Sequence, residues 1–238
     1  MFTLHNGDCL EYMKTLEPNS VQAVITDPPY GIDKEEWDGE FPVWLLDESF
    51  RISELVIIIP GIWSLGTCIS AMKDKYLWTV AGHKPGAMSN TPIGFNNWQP
   101  IVIGGSPKIR AGVDAFDFRP TDPDESYYHS CQKPLNFMRW IISRFTLETD
   151  IVFDPFMGSG STGIAALQLG RSFIGCELSP EYFAIAEKRV KKASLQQHLF
   201  TPSNNRVQRT GGESAANLSL FPAEGNPPAK VTAKSTRR

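Results

Sequence analysis

The stretch Ile151-Val152-Phe153-Asp154-Pro155-Phe156-Met157-Gly158-Ser159-Gly160-Ser161-Thr162-Gly163 decides the fold. Its first four residues form the short apolar run of a strand buried on both faces of a sheet, and Ser161 to Leu169 has helical spacing closed by Gly170. Between them, Gly158, Gly160 and Gly163 satisfy G-x-G-x-x-G, where missing side chains let the backbone turn tightly and approach a bound nucleotide. Ser172 to Cys176 reads as the next strand, and Glu177 ends it, where an acid accepts ribose hydroxyls. The alternative is a plain glycine-rich turn; the acid after the second strand favours a nucleoside-containing cofactor. Dinucleotide sites end the first strand in a glycine turn, but this chain has Asp154 ahead of Pro155 and Phe156. A carboxylate there suits a cation. S-adenosylmethionine carries an α-amino cation and no pyrophosphate, so Asp154 on the amino group and Glu177 on the ribose match it better than they match NAD. Ser161 or Thr162 is expected to cap the helix.

Outward from this unit the chain alternates strands and helices. Downstream, Ser179 as N-cap and Pro180 at the first helical position open a helix to about Lys192. Upstream, Leu135, Met138, Ile141, Ile142 and Phe145 make one apolar stripe of a helix over 135–145. Nearer the start, Phe2 to His5 is a strand, Leu10 to Leu16 helical, Val21 to Thr26 a buried strand, Val43 to Ile52 helical and Leu55 to Ile59 another buried strand. Leu65 to Met72 is then a helix and Tyr76 to Val80 a strand, which completes an α/β pattern with a mostly parallel sheet. Residues 81–128 break the alternation with glycines and prolines around one strand at Pro100 to Ile103 and read as a short insert. Within it, Lys84, Trp98, Lys108, Arg110 and Arg119 suit contacts with phosphates and bases, although on these residues alone a solvated loop is the favoured reading. The expected organisation is 1–80 as one half of the domain, 81–128 as the insert, 129–194 as the cofactor half, and 195–238, rich in Ser, Asn, Gly and Pro, as a disordered tail.

Asp27-Pro28-Pro29-Tyr30 follows the strand at Val21 directly, and open α/β sheets carry their chemistry outside the carboxyl ends of their strands. Taken alone, the four residues are either a stiff turn or a catalytic edge. The net charge of −3 over 238 residues argues against a uniformly basic nucleic-acid coat and permits a local basic patch. Cys9, Cys68, Cys131 and Cys176 form no C-x-x-C pair, so neither a metal site nor a disulfide framework is expected. The N-terminus lacks a basic segment followed by a long apolar run, and no apolar run is long enough for a membrane span, so a cytoplasmic protein without signal peptide or membrane segment is expected.

Together, Asp27 to Tyr30, Asp154 to Gly160 and His129-Ser130-Cys131-Gln132-Lys133-Pro134 resemble the motifs of S-adenosylmethionine-dependent DNA amino-methyltransferases, which act on adenine N6 or cytosine N4. The catalytic motif precedes the cofactor motif, as in the permuted beta group, and the resemblance covers about residues 1 to 192. It implies a Rossmann-like methyltransferase fold with a short target-recognition insert, double-stranded DNA as partner, a flipped target base, and no metal. It makes Asp27 and the Pro28 carbonyl acceptors for the amine hydrogens, Pro29 the stiffener of the turn, and Tyr30 the ring that stacks on the base. Asp8 would lie near the cofactor adenine, Lys133 and Pro134 beside the methionine moiety; Asp8 as a helix N-cap and Pro134 as a helix start are equally open. Asp rather than Ser at the head of the catalytic motif favours adenine N6, with cytosine N4 the alternative; RNA or protein methylation and an NAD-dependent oxidoreductase are further ones. The short insert is compatible with a homodimer.

Overall fold

Two neighbouring strands, β2 (Ala23–Thr26) and β3 (Leu55–Ile58), are buried at every residue and form the centre of the molecule. Their side chains alternate between two helical layers, as the two-residue strand period requires. Ala23, Ile25 and Ile57 point into one core, while Val24, Val56 and Ile58 point into the other. The computed structural model describes residues 1–29, 41–86, 89–108, 112–119, 128 and 132–200.

Around this centre the remaining strands are β1 (Phe2–Asn6), β4 (Tyr76–His83), β5 (Ser89–Thr91), β6 (Gly94–Asn96), β7 (Trp98–Gly105), β8 (Ala115–Asp117), β9 (Ile151–Asp154) and β10 (Ser172–Glu177). Among the described residues, eight of the ten strands form one sheet in the order β1-β10-β9-β2-β3-β7-β4-β8, and β5 and β6 form a separate pair. β7 is antiparallel to both its neighbours and every other pairing in the large sheet is parallel, so β7 alone runs against the rest. The other seven carboxyl ends therefore share one edge.

The helices are α1 (Cys9–Lys14), α2 (Trp44–Ile52), α3 (Leu65–Met72), α4 (Leu135–Phe145), α5 (Ser161–Gln168) and α6 (Pro180–Phe200). Met13 of α1, Leu45, Leu46 and Ile52 of α2, and Cys68 and Met72 of α3 cover one face. Phe137, Met138, Ile141 and Ile142 of α4, Ala165 and Ala166 of α5, and Ala186 and Val190 of α6 cover the other. The α4 stripe is buried as its spacing demands, and truncating a side chain as large and enclosed as Phe137 costs about 3–5 kcal/mol. The crossover from β2 to β3 passes through α2 on one face, and that from β9 to β10 through α5 on the other. Neighbouring strands β9 and β2 thus form the topological switch point, where ligands bind in open α/β sheets.

Three expectations change. The strand at Pro100 to Ile103 extends to Trp98–Gly105 and lies between β3 and β4, so the stretch 81–128 supplies part of the sheet and is not one insert. Among the described residues, the β5–β6 hairpin forms a separate two-stranded sheet beyond it. The last helix passes Lys192 and Leu195 to reach Phe200, with Lys191 and Glu187 paired at 2.8 Å along its exposed side; residues 201–238, the rest of the expected tail, lie outside the described residues. Finally, neither Ser161 nor Thr162 caps α5. Gly160 occupies the N-cap in the left-handed region at φ +87°, which favours glycine, and makes no side-chain cap.

Candidate active site at the switch point

Asp154 ends β9 at the centre of the sheet, and it is 2% exposed. Three donors hold its carboxylate: Thr26 Oγ1 of β2 at 2.7 Å and the Phe156 backbone N–H at 3.0 Å on Oδ1, and Thr162 Oγ1 of α5 at 2.6 Å on Oδ2. The Thr162 hydroxyl is thus committed to the acid rather than to the helix end. Burial outweighs these bonds and pushes the carboxyl up to about 6. The glycine loop then folds back over the strand ends, with the Met157 N–H on the Cys176 carbonyl at 2.9 Å. A side chain at Gly163 would meet the Phe173 ring at 2.5 Å, so glycine lets α5 lie close on the sheet.

Glu177 ends β10 beside this loop. Its two oxygens accept the Gly158 N–H at 3.0 Å and the Ser179 N–H at 2.8 Å, and burial raises its pKa. The β1–α1 corner joins it through the Gly7 N–H and the Asn6 amide, both donated to the Glu177 carbonyl, at 3.0 and 2.8 Å. Asp8 caps α1 by accepting the Glu11 N–H at 3.0 Å, and it also lines the cavity described next.

A cavity of about 360 Å³ opens between these ends. Of the residues expected at a cofactor, Asp8, Lys133, Asp154, Phe156, Gly158, Ser161, Thr162 and Glu177 line it; Gly160 and Pro134 do not. Pro134 is the N-cap residue of α4. Asp27 and Pro29 line the same cavity while Pro28 is buried beside them, so the two motifs, far apart in sequence, share one site. Tyr30 lies outside the described residues.

Other side chains complete the site, and some of them, such as Trp44 and Arg189, carry no sequence signal of their own. Trp44, at the start of α2, lines the cavity with its ring 6.5 Å from that of Phe156. Gln132 accepts the Ser159 hydroxyl at 3.0 Å and the Tyr128 N–H at 3.2 Å, and Arg189 of α6 holds the Ser159 carbonyl at 2.7 Å. Lys133 forms an ion pair with Asp27 Oδ2. Leu178 and Tyr182 complete the wall just past Glu177, where a strand-end acid followed by a helix start is the signal that could have found them.

The residues expected at nucleic acid divide by sheet edge. Lys84 follows β4, Trp98 begins the reversed β7 and Arg119 follows β8, so all three sit along the carboxyl edge that holds the cavity. Lys108 does not. It follows the end of β7 at the opposite edge and pairs at 3.3 Å with Asp150, just before β9 begins. Arg110 lies outside the described residues. Among the described residues, no cluster of His, Cys, Asp or Glu could hold a metal ion, and no helix is long and apolar enough to cross a membrane.

The chemistry of this site agrees with three comparisons. Residues 62–188 match the N6_N4_Mtase family model, described as DNA methylase. The Type II methyltransferase M2.DpnII of Streptococcus pneumoniae is 48% identical over 238 residues, covering 79% of this chain and 89% of its own. The DNA adenine methyltransferase YhdJ of Escherichia coli K12 is 27% identical over 246 residues, covering 81% and 83%. Among solved structures, the complex of M1.HpyAVI with S-adenosylmethionine superposes with a TM-score of 0.63 at 27% identity, covering 79% of this chain and 100% of that one.

Proposed function

The chain belongs to the family of S-adenosylmethionine-dependent DNA methyltransferases that modify exocyclic amines at adenine N6 or cytosine N4, and within that family we propose that it methylates the N6 of an adenine flipped out of duplex DNA. The observation that carries this reading is Asp27, heading its Pro-Pro turn at the end of β2 and lining the same cavity as the glycine loop. Asp rather than Ser at that position, together with the adenine named for YhdJ, favours N6 over N4.

The residues present fit the cofactor. Asp154 offers a carboxylate to an α-amino cation, Glu177 to ribose hydroxyls, and Asp8 to an adenine amine. Ser161 Oγ, lining the cavity, is buried with no hydrogen-bond partner among the described residues, a polar group whose burial a ligand would offset. When bound, S-adenosylmethionine supplies a methyl group on a positively charged sulfur. Asp27 and the Pro28 carbonyl accept the two hydrogens of the target amine. That turns the nitrogen lone pair, otherwise delocalised into the ring, toward the methyl, and Asp27 is the acceptor for the released proton. Tyr30 stacks on the flipped base. The rate comes from proximity and from charge fixed in advance where it develops. Lys84, Trp98 and Arg119, at the same sheet edge, hold the duplex, and the segments between β4 and β7 and after β8 read its sequence. Cytoplasmic residence and association of two copies belong to the same reading and are tested by fractionation and sedimentation velocity.

The test is to methylate duplex DNA with the purified protein, digest it to nucleosides and identify the product by mass. N6-methyladenine is expected. N4-methylcytosine would replace the adenine assignment and leave the family untouched.

A further inference from the structure

Lys133 is the one basic side chain that lines the cavity among the described residues, where Asp8, Asp27, Asp154 and Glu177 are the carboxylates. The cation does not sit with the buried acid of the cofactor strand. It pairs with Asp27, 106 residues away in sequence. Both partners are largely shielded, with side-chain exposures of 16% for Lys133 and 24% for Asp27, so the pair is screened less than a surface pair and holds its geometry more firmly. The backbone at Lys133 is itself anchored. Its neighbour Gln132 accepts the hydroxyl of Ser159 in the glycine loop, and Arg189 donates to both the carbonyl and the hydroxyl of Ser159, at 2.7 and 3.0 Å. The Arg189 guanidinium also lies 5.1 Å from the centre of the Tyr128 ring, and the Tyr128 N–H closes on Gln132. A continuous set of contacts thus runs from α6 through the glycine loop to the carboxylate at the end of β2.

We propose that Lys133 is a positioning residue for methyl transfer: it holds Asp27 Oδ2 and so fixes the plane in which the carboxylate accepts the target amine, with the glycine loop as its anchor. This rests on the assignment of Asp27 as the amine acceptor. A carboxylate on a strand end with no such hold samples several rotamers, and misplacement of an acceptor by an ångström costs about 10²-fold in rate. A lysine that served only the cofactor would show the opposite kinetic pattern, with weakened cofactor binding and unchanged turnover at saturation.

The experiment compares Lys133→Gln, Lys133→Arg, Asp27→Asn and the double variant Asp27→Asn/Lys133→Gln with the wild-type protein. Lys133→Gln is expected to lower kcat at saturating cofactor and DNA by about 10–10²-fold. Its Kd for S-adenosylmethionine, measured by calorimetry, should stay within about threefold and Lys133→Arg should recover much of the rate. Adding Lys133→Gln to Asp27→Asn should cost nothing further, because the lysine acts through the acid. In cofactor-free protein, the ¹³C carboxyl resonance of Asp27 should move in Lys133→Gln and stay in place in Lys84→Gln. A kcat for Lys133→Gln within about twofold of wild type, or an unmoved Asp27 resonance, overturns the proposal. Full turnover by Asp27→Asn instead overturns the assignment of Asp27, and this inference with it.

Discussion

Asp27 and Asp154 stand at the carboxyl ends of adjacent parallel strands, yet the fold holds them in opposite ways. Asp154 is enclosed and satisfied by two hydroxyls and a backbone N–H, all uncharged, and burial lifts its pKa to about 6. Asp27 is half-buried at the cavity wall and faces a cation, Lys133. The difference separates two tasks that one residue type can perform. A carboxylate bonded to neutral donors is built into the framework and gains most when a ligand brings a positive charge. A carboxylate beside an ammonium is held in one orientation at the cavity wall, which is what the acceptor role proposed for Asp27 requires.

The largest expected effect comes from removing the cavity-wall acid. Asp27→Ala should lower methyl transfer at saturating substrates by at least about 10²–10³-fold while calorimetry still detects the cofactor. Comparable loss of cofactor binding would erase the division of labour. Next is the framework acid: Asp154→Ala leaves the hydroxyls of Thr26 and Thr162 and the Phe156 N–H without their acceptor. Each buried orphan costs about 1–3 kcal/mol, so thermal unfolding should show a clear drop that Asp27→Ala does not match.

A subtler effect is in pH. Because the Asp154 carboxyl is raised from 3.8 to about 6, the folded cofactor-free protein binds a proton there that the unfolded chain has released. Its contribution to stability is fully present below about pH 4 and is lost as pH rises through about 6, a change of about 1–3 kcal/mol. Melting curves across that window should slope downward in wild type and flatten in Asp154→Asn. A cationic ligand group favours the ionised acid, so cofactor affinity should strengthen as pH rises through the same window.

The smallest effects lie at the two sheet edges. Lys84→Ala, at the carboxyl edge, should weaken DNA binding a few-fold and lower the salt dependence by about one counterion, whereas Lys108→Ala, paired with Asp150 at the other edge, should change neither. Equal effects would place DNA elsewhere than the cavity edge.

The unit around the glycine loop is legible in the sequence because its signals are local. A buried strand, glycine turn, helix and strand-end acid follow one another within 27 residues, from Ile151 to Glu177, and α3, α4 and β9 begin and end where their apolar patterns do. What stayed hidden depends on long-range pairing. Nothing in Trp98–Gly105 announces that it inserts backwards between β3 and β4, and that reversal alone carries Lys108 to the edge away from the site. β8, three residues long with no apolar alternation, owes its existence to pairing with β4. The Lys133–Asp27 pair is equally non-local: the motif segment is visible in sequence, but the partner it reaches is decided by the order of strands.

The most direct measurement is a single-turnover assay with methyl-labelled S-adenosylmethionine and duplex DNA, run in parallel on wild type, Asp27→Asn and Asp154→Asn at saturating cofactor. The opposed roles of the two acids predict that Asp27→Asn loses at least about 10²-fold in transfer rate with cofactor Kd within about threefold of wild type. They predict a loss for Asp154→Asn that appears mainly in Kd. Transfer by Asp27→Asn at the wild-type rate, or a loss that resides in its cofactor affinity, would contradict the account.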